Sequence, residues 1–137
     1  MNDSNELPSV SFLIPTLNAA SVLEPCFKAI VNQDYPKDKI EIVVADGGST
    51  DKTLVLAKKY GAKIYPNPLK TGEAGKAAAF KKAKNELVAL IDSDNYLPNK
   101  IGLKRWLRLL LIRKLLGVNP GNILIVERTI LLIVIAL

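Results

Sequence analysis

Leu87-Val88-Ala89-Leu90-Ile91-Asp92-Ser93-Asp94-Asn95 is the stretch on which the reading of this chain turns. Five consecutive apolar residues predict a strand buried on both faces, as in a parallel sheet covered by helices. Two carboxylates follow one residue apart, with no counter-charge between them. Bare carboxylates are costly to bury without a cation or hydrogen-bond donors, so the pair is expected at the strand's exit, in a cleft. Hard oxygen ligands at such a place suit Mg²⁺ or Mn²⁺, each held by one or two carboxylates and a substrate diphosphate. An acidic turn closing a strand would use the same residues, and Asp-x-Asp alone does not choose between the two.

The residues upstream bear on that choice. Residues 71–85 are alanine-rich, with Gly72 and Gly75 at the entry, and predict a helix leading into the strand. Before it, residues 62–65 read as a short strand that gives way to an irregular loop at Pro66-Asn67-Pro68. Residues 51–60 predict a helix, capped by Ser49 or Thr50 and ended by Gly61 as its C′ residue. Residues 40–45 form another apolar run, followed by Asp46-Gly47-Gly48-Ser49-Thr50-Asp51. Val22, Leu23, Cys26, Phe27, Ile30 and Val31 recur at helical spacing behind a capping-box pattern of Ser21 and Glu24. Cys26 lies on that apolar face and is expected to be a packed thiol. Residues 10–14 make a first strand, stopped by Pro15.

Strand and helix thus alternate three times, which predicts an α/β fold, a Rossmann-like parallel sheet with right-handed crossovers. Ligands of such sheets bind beyond the carboxyl ends of the strands, where the winding reverses. The strand order 3-2-1-4 would bring residues 15–18, 46–51 and 92–95 to one cleft. Neither G-x-G-x-x-G nor a P-loop follows the first strand, which argues against a dinucleotide dehydrogenase or an ATPase.

Length and composition bound the rest. The 137 residues are enough for one domain with its own core. One cysteine and no histidine exclude an internal disulfide framework and any ordinary histidine-based metal site. They fit a reducing, cytoplasmic setting, and the polar N-terminal residues do not resemble a signal peptide. The formal net charge of +6 suggests nucleic acid only until it is placed along the chain. Residues 1–100 carry 13 Lys and 12 Asp/Glu, whereas residues 101–137 carry six Lys/Arg and one Glu. The basic character belongs to the tail, and no nucleic-acid partner is expected.

Val-Ser-Phe-Leu-Ile-Pro-Thr-Leu-Asn from position 10, Ile-Val-Val-Ala-Asp-Gly-Gly-Ser-Thr-Asp-Lys-Thr from position 42 and Leu-Ile-Asp-Ser-Asp-Asn from position 90 together resemble the opening half of family 2 glycosyltransferases of the GT-A fold. The resemblance covers about residues 8–100. It implies a sugar-nucleotide site in which Pro15, Thr16 and Leu17 line the nucleoside pocket. Asp46 falls where the family places a carboxylate that accepts a hydrogen bond from the base. Asp92 and Asp94 match the family's Asp-x-Asp, with Asp94 the direct ligand of Mg²⁺ or Mn²⁺ and Asp92 nearer the ribose. Lys76 aligns with a frequent Arg or Lys facing the nucleotide, although Ala77 stands where Asn is common and a solvated helix lysine is the plain alternative. The implied reaction is inverting sugar transfer from a nucleoside diphosphate sugar, a UDP-sugar by preference, to a hydroxyl. The family's acceptor-side carboxylate base comes from the second half of the domain, so these 137 residues alone are expected to be inactive in transfer.

The tail reads differently. Residues 1–100 contain no Arg, whereas residues 101–137 contain four, and Leu, Ile and Val fill 21 of those 37 positions. Its last apolar run, residues 123–137, is interrupted by Glu127-Arg128 and falls short of the roughly 20 residues a membrane span needs. Trp106, Leu109, Leu110, Arg113 and Lys114 could form a basic amphipathic helix on a membrane surface, placing the protein at the inner face. The chain would then be a non-catalytic nucleotide-binding or membrane-docking module. A frameshift after Lys100 accounts for more, because permitted codons for residues 101–107 read one base earlier yield D-W-L-E-E-M-V, ordinary globular sequence. The expectation is therefore a sugar-nucleotide-binding half over residues 1–100 and an atypical tail over 101–137, with an open sheet edge after the fourth strand.

Overall fold

Near-continuous apolar runs at 10–16 and 40–46 place apolar side chains on both faces of each strand, and both faces are covered. The computed structural model describes residues 7–85, 87–97, 99–117, 123–127 and 130–134. Strands β1 (Val10–Thr16), β2 (Ile40–Asp46), β3 (Lys63–Pro66) and β4 (Leu87–Leu90) alternate with helices α1 (Ala20–Val31), α2 (Thr53–Lys59) and α3 (Gly72–Lys82). The four strands are parallel, as expected, and lie in the order β3-β2-β1-β4 that brings the three strand-exit stretches together. Phe12, Ile14, Val44 and Ala89 pack with Leu23, Phe27 and Ile30 of α1 in one layer. Leu13, Val43, Ala45 and Val88 pack with Ala79 of α3 in the other.

β1 runs on through Pro15 to Thr16 rather than stopping at the proline. In a parallel strand successive residues direct their backbone groups to alternate neighbours. Thr16 accepts a bond from Gly47 N at 2.8 Å on the β2 side, and Leu13 accepts one from Ile91 N at 3.1 Å on the β4 side. Pro15 therefore faces β4, where it has no N–H to give. The β1–β2 ladder continues to Thr16 and Asp46, whereas the β1–β4 ladder ends at Leu13 and Leu90. The gap between β1 and β4 thus opens on the side where Asp92 and Asp94 leave the sheet.

Two expected caps are replaced. α1 starts at Ala20 with no side-chain cap of its own. Its first amides are met from the loop after β2 instead: Ala19 N donates to Thr53 Oγ1 at 2.9 Å and Ala20 N to Asp51 Oδ2 at 3.1 Å. Glu24, freed from a capping box, pairs with Lys59 at 3.0 Å and accepts from the Tyr60 hydroxyl. α2 begins at Thr53, whose N–H is met by Asp51 Oδ1 at 2.9 Å, not by Ser49 or Thr50. Gly61 does end α2, at φ 73°, and α3 is capped by Thr71 Oγ1.

The tail changes the expected edge. Helix α4 (Gly102–Leu115) is followed by β5 (Ile123–Glu127) and β6 (Ile130–Val134), and β6 pairs antiparallel with β4. The sheet is therefore mixed and six-stranded, in the order β3-β2-β1-β4-β6-β5, and the β4 edge is covered by chain of high strand propensity. Trp106 is not displayed for a membrane surface: with Leu103 and Leu107 it is buried in the α1-side core. Leu109 is exposed, while the side chains of Leu110, Arg113 and Lys114 lie outside the described ones. No helix among the described residues is long and apolar enough to cross a membrane. Buried Gln33 anchors this part of the chain, donating to Asn99 O at 2.7 Å and accepting from Leu103 N at 3.1 Å.

Candidate functional site

The loops after β1 and β2 are latched together. Asn18, in the left-handed region at φ 48°, accepts from Thr50 N through Oδ1 at 2.8 Å, and its own N–H donates to Ser49 Oγ at 2.8 Å. Ser49 Oγ in turn donates to Asp46 Oδ1 at 2.5 Å. Asn is among the few residues that adopt this backbone conformation readily, which explains its place at the turn. A Cβ on Gly47 would lie 3.3 Å from Leu17 Cδ1 and 3.4 Å from the Lys70 Cα, so the loops after β1, β2 and β3 meet there.

Asp46 stands at the end of β2 and is only 7% exposed. Its carboxylate accepts from Thr16 Oγ1 at 2.8 Å, Ser49 Oγ at 2.5 Å, Gly48 N at 2.9 Å and Ser49 N at 2.7 Å. Burial by itself pushes its pKa up, but the bonds from Ser49, Thr16 and Gly48 outweigh it and hold the carboxyl below the usual range. The group is thus ionised and its four lone-pair directions are all engaged.

On the other side of the gap, α3 comes against β1 at a glycine. A Cβ on Gly75 would lie 2.6 Å from Pro15 Cβ and 3.0 Å from Asn67 Nδ2. That approach carries Lys76, one residue on, to the β4 exit, where its Nζ lies 2.8 Å from Asp92 Oδ1. Lys76 supplies the counter-charge absent from the Asp-x-Asp stretch itself. Asp92 and Asp94 are both exposed, and Asp94 has no ion-pair partner among the described residues. Leu17, at the mouth, is 44% exposed.

Among the described residues no group of three or more Asp, Glu or Cys converges into a ready-made metal cage. Mg²⁺ and Mn²⁺ need less, since they keep several waters and take most other ligands from substrate phosphates. The donor chemistry of Asp92 and Asp94 fits such an ion. Asp92 Oδ1 is already engaged by Lys76, which leaves Asp94 the freer carboxylate. Cys26 is the packed thiol expected: burial, with the negative charge of Asp94 adding to it, pushes its pKa up to about 12. A separate cavity of about 310 Å³, lined among others by Ile40, Glu41, Tyr60, Lys63 and Lys84, opens at the amino ends of the strands, away from these carboxylates.

Asn18 and Ser49 stand inside the strand-exit stretches quoted above, but the loop–loop bonds they make are encoded by no spacing. Asn67 was visible only as part of a Pro-Asn-Pro loop. The structure buries it beside Pro15, with its N–H bonded to Asp46 O at 2.8 Å.

The sequence profile of Glycosyl transferase family 2 matches residues 11–111 of this chain, from β1 into α4. The chain belongs to that family. Among family members, it is 36% identical over 100 residues to the poly(ribitol-phosphate) beta-N-acetylglucosaminyltransferase TarS of Staphylococcus aureus, a match covering 69% of this chain and 17% of TarS. The crystal structure of S. aureus TarS residues 1–349 with UDP-GlcNAc superposes at a TM-score of 0.70 and 30% identity, covering 77% of this chain and 32% of that one. The mannosyltransferase PcManGT from Pyrobaculum calidifontis, solved with GDP-Man and Mn²⁺, matches at a TM-score of 0.67 and 28% identity, covering 79% and 34%. This family 2 chain therefore spans a minor part of each relative's length. Its fold is that of the GT-A glycosyltransferases, and divalent metal occurs among its structural relatives.

Proposed function

We propose that this chain binds a nucleoside diphosphate sugar, a UDP-sugar by preference, and serves as the donor-side part of an inverting, metal-dependent glycosyltransferase. The observation that carries the reading is the gap between β1 and β4, where exposed Asp92 and Asp94 stand with Lys76 across from the Pro15–Leu17 turn and Asp46. Pro15, Thr16 and Leu17 form the nucleoside wall. Leu17, apolar and exposed, offers a face for the base. Thr16 contributes backbone, because its hydroxyl is committed to Asp46.

Lys76 holds Asp92 in place of a diphosphate. When a diphosphate enters, the ammonium can move to a phosphate oxygen, which carries denser charge, and release Asp92 toward the ribose. Asp94, assisted by Asp92, is the ligand for Mg²⁺ or Mn²⁺. Bound there, the ion would neutralise charge that builds on the departing diphosphate. The part that fits this chain is recognition and orientation of the donor; the base for the acceptor hydroxyl is assigned to none of its described residues. The UDP-GlcNAc complex of TarS and the GDP-Man and Mn²⁺ complex of PcManGT support the choice of ligand class.

Isothermal titration of UDP into the chain, with and without Mn²⁺, tests the proposal. Binding should strengthen with Mn²⁺, and Asp94→Ala should remove that enhancement. Binding that ignores both the ion and Asp94 would count against the assignment.

A further inference from the structure

Leu17 is the exposed apolar face of the proposed nucleoside wall, and both of its neighbours are tied to the loop after β2. On one side Thr16 Oγ1 donates to Asp46 Oδ1 at 2.8 Å. On the other, Asn18 N donates to Ser49 Oγ at 2.8 Å, and Ser49 directs its single hydroxyl proton to Asp46 Oδ1 at 2.5 Å. The two ties end on the same carboxylate oxygen. Leu17 itself leans on that loop, since a Cβ on Gly47 would lie 3.3 Å from Leu17 Cδ1.

The Asn18 side chain closes the same contact from the other direction. Its Oδ1 accepts from Thr50 N at 2.8 Å and from Thr50 Oγ1 and Asp51 N at 3.4 Å each. Two of these donors are backbone amides, which only an acceptor can face, so the atom is the oxygen and the amide cannot be flipped. Asp51 carries the latch on to the start of α1, where it accepts from Ala20 N at 3.1 Å. The bonds that Asn18 makes are exposed. An exposed hydrogen bond replaces one to water and adds little to stability. Its consequence is geometric: the turn after β1, at φ 48° in Asn18, has one seat on the loop after β2. A turn ordered beforehand does not draw its ordering entropy from the binding of a ligand.

We propose that Asn18 is a positioning residue for donor binding: it seats Leu17 against the loop after β2, so that the base meets a wall already in place. This deepens the nucleotide-binding reading above and rests on it. Asn18 acts through Leu17, not through a contact of its own with the nucleotide. Asn suits the position because it adopts positive φ readily and carries an acceptor oxygen on a short side chain. Glycine would keep the backbone conformation and lose the acceptor, which makes Asn18→Gly the informative change.

The test is a double-mutant cycle on the full chain, read by UDP titration with Mn²⁺ present, with Asn18→Gly and Leu17→Ala as its single variants. Asn18→Gly should weaken UDP about fivefold, the cost of ordering roughly one residue, while its urea midpoint stays close to that of the wild type. Leu17→Ala should also weaken UDP, by loss of the apolar face. In the Leu17→Ala background Asn18→Gly should have almost no further effect, because little is left for it to position. A general structural role would give additive losses instead. Should Asn18→Gly not fold, amide exchange in the wild type gives the same information: the Thr50 N–H should exchange slowly in the free chain and no more slowly with UDP. Undiminished UDP binding in Asn18→Gly, the same loss in both backgrounds, or a Thr50 N–H protected only by UDP overturns the inference and leaves the nucleotide site standing. A wild type that binds no UDP overturns the site and the inference together.

Discussion

Gly75 is where helix and strand come closest. Alanine normally favours a helix over glycine by up to about 1 kcal/mol. At position 75 its Cβ would stand 2.6 Å from Pro15 Cβ, and a proline ring on a buried strand cannot swing aside. Overpacking of this kind typically costs about 1–3 kcal/mol. Gly75→Ala should therefore lower the urea midpoint, whereas Gly72→Ala, with nothing within 4 Å of its Cβ, should leave it unchanged or raise it. Equal effects from the two would refute the close approach. Asp46 makes a second prediction. Its pKa is depressed in the folded chain, so the stability it contributes is present above the ordinary Asp range near pH 4 and is lost as pH falls through the folded value. Thr16→Val removes one of the bonds responsible, raises the folded pKa and narrows that window. Acid unfolding of the variant should show less of this dependence on Asp46, read as a shallower loss of stability below about pH 4. An unchanged pH profile would mean that the Thr16 hydroxyl does not hold the charge. The roles of Pro15, Asp46, Lys76, Asp92 and Asp94 can be approached from sequence because each stands at a strand exit or on a matched motif. The placement of Asn67 could not, since its burial and its backbone bond to Asp46 O come from where β3 ends against β2.

At the scale of elements, the caps reveal what local pattern misses. Ser21 and Glu24 have the spacing of a capping box, yet the α1 amides go to Asp51 and Thr53, more than thirty residues away. A tertiary donor–acceptor match replaced the local one, and Glu24 found Lys59 and Tyr60 instead. Strand boundaries show the same effect. Pro15 does not end β1, because the N–H it lacks would have pointed to the side where β4 departs. The entry of α4 is held by Gln33, whose amide spans Ala29 O, Asn99 O and Leu103 N. Gln33→Ala leaves the Leu103 N–H buried without a partner, a loss of about 1–3 kcal/mol. Trp106, the single tryptophan, sits three residues on in the core. Its emission should shift to the red in Gln33→Ala at denaturant concentrations where the far-ultraviolet spectrum of the sheet is still native. Coincident transitions would show that α4 is not held separately.

Across the whole molecule, alternation and the handedness of crossovers predict a parallel sheet, while the order β3-β2-β1-β4 that makes the cleft is only one arrangement they allow, and it is the one the structure shows. They do not predict the mixed edge. Nothing in an apolar run such as 123–134 tells whether it seeks a membrane, a core or a strand edge, and only the vacant side of β4 decides it. The compositional break after Lys100, with all four arginines beyond it, still invites a check at the level of the gene. We propose that the reading frame changes near that codon. Translation one base earlier should give a long open frame with acidic residues, and early stop codons would establish the tail as encoded. The central claim, a metal–nucleotide site at the β1–β4 gap, is tested most directly by Mn²⁺ itself. Paramagnetic Mn²⁺ added to the isotope-labelled chain with UDP should broaden the amide signals of Ser93, Asp94 and Lys76 first, and Asp94→Ala should abolish the selective loss. Broadening centred instead on Glu41 and Asp38, at the opposite end of the strands, would contradict the account.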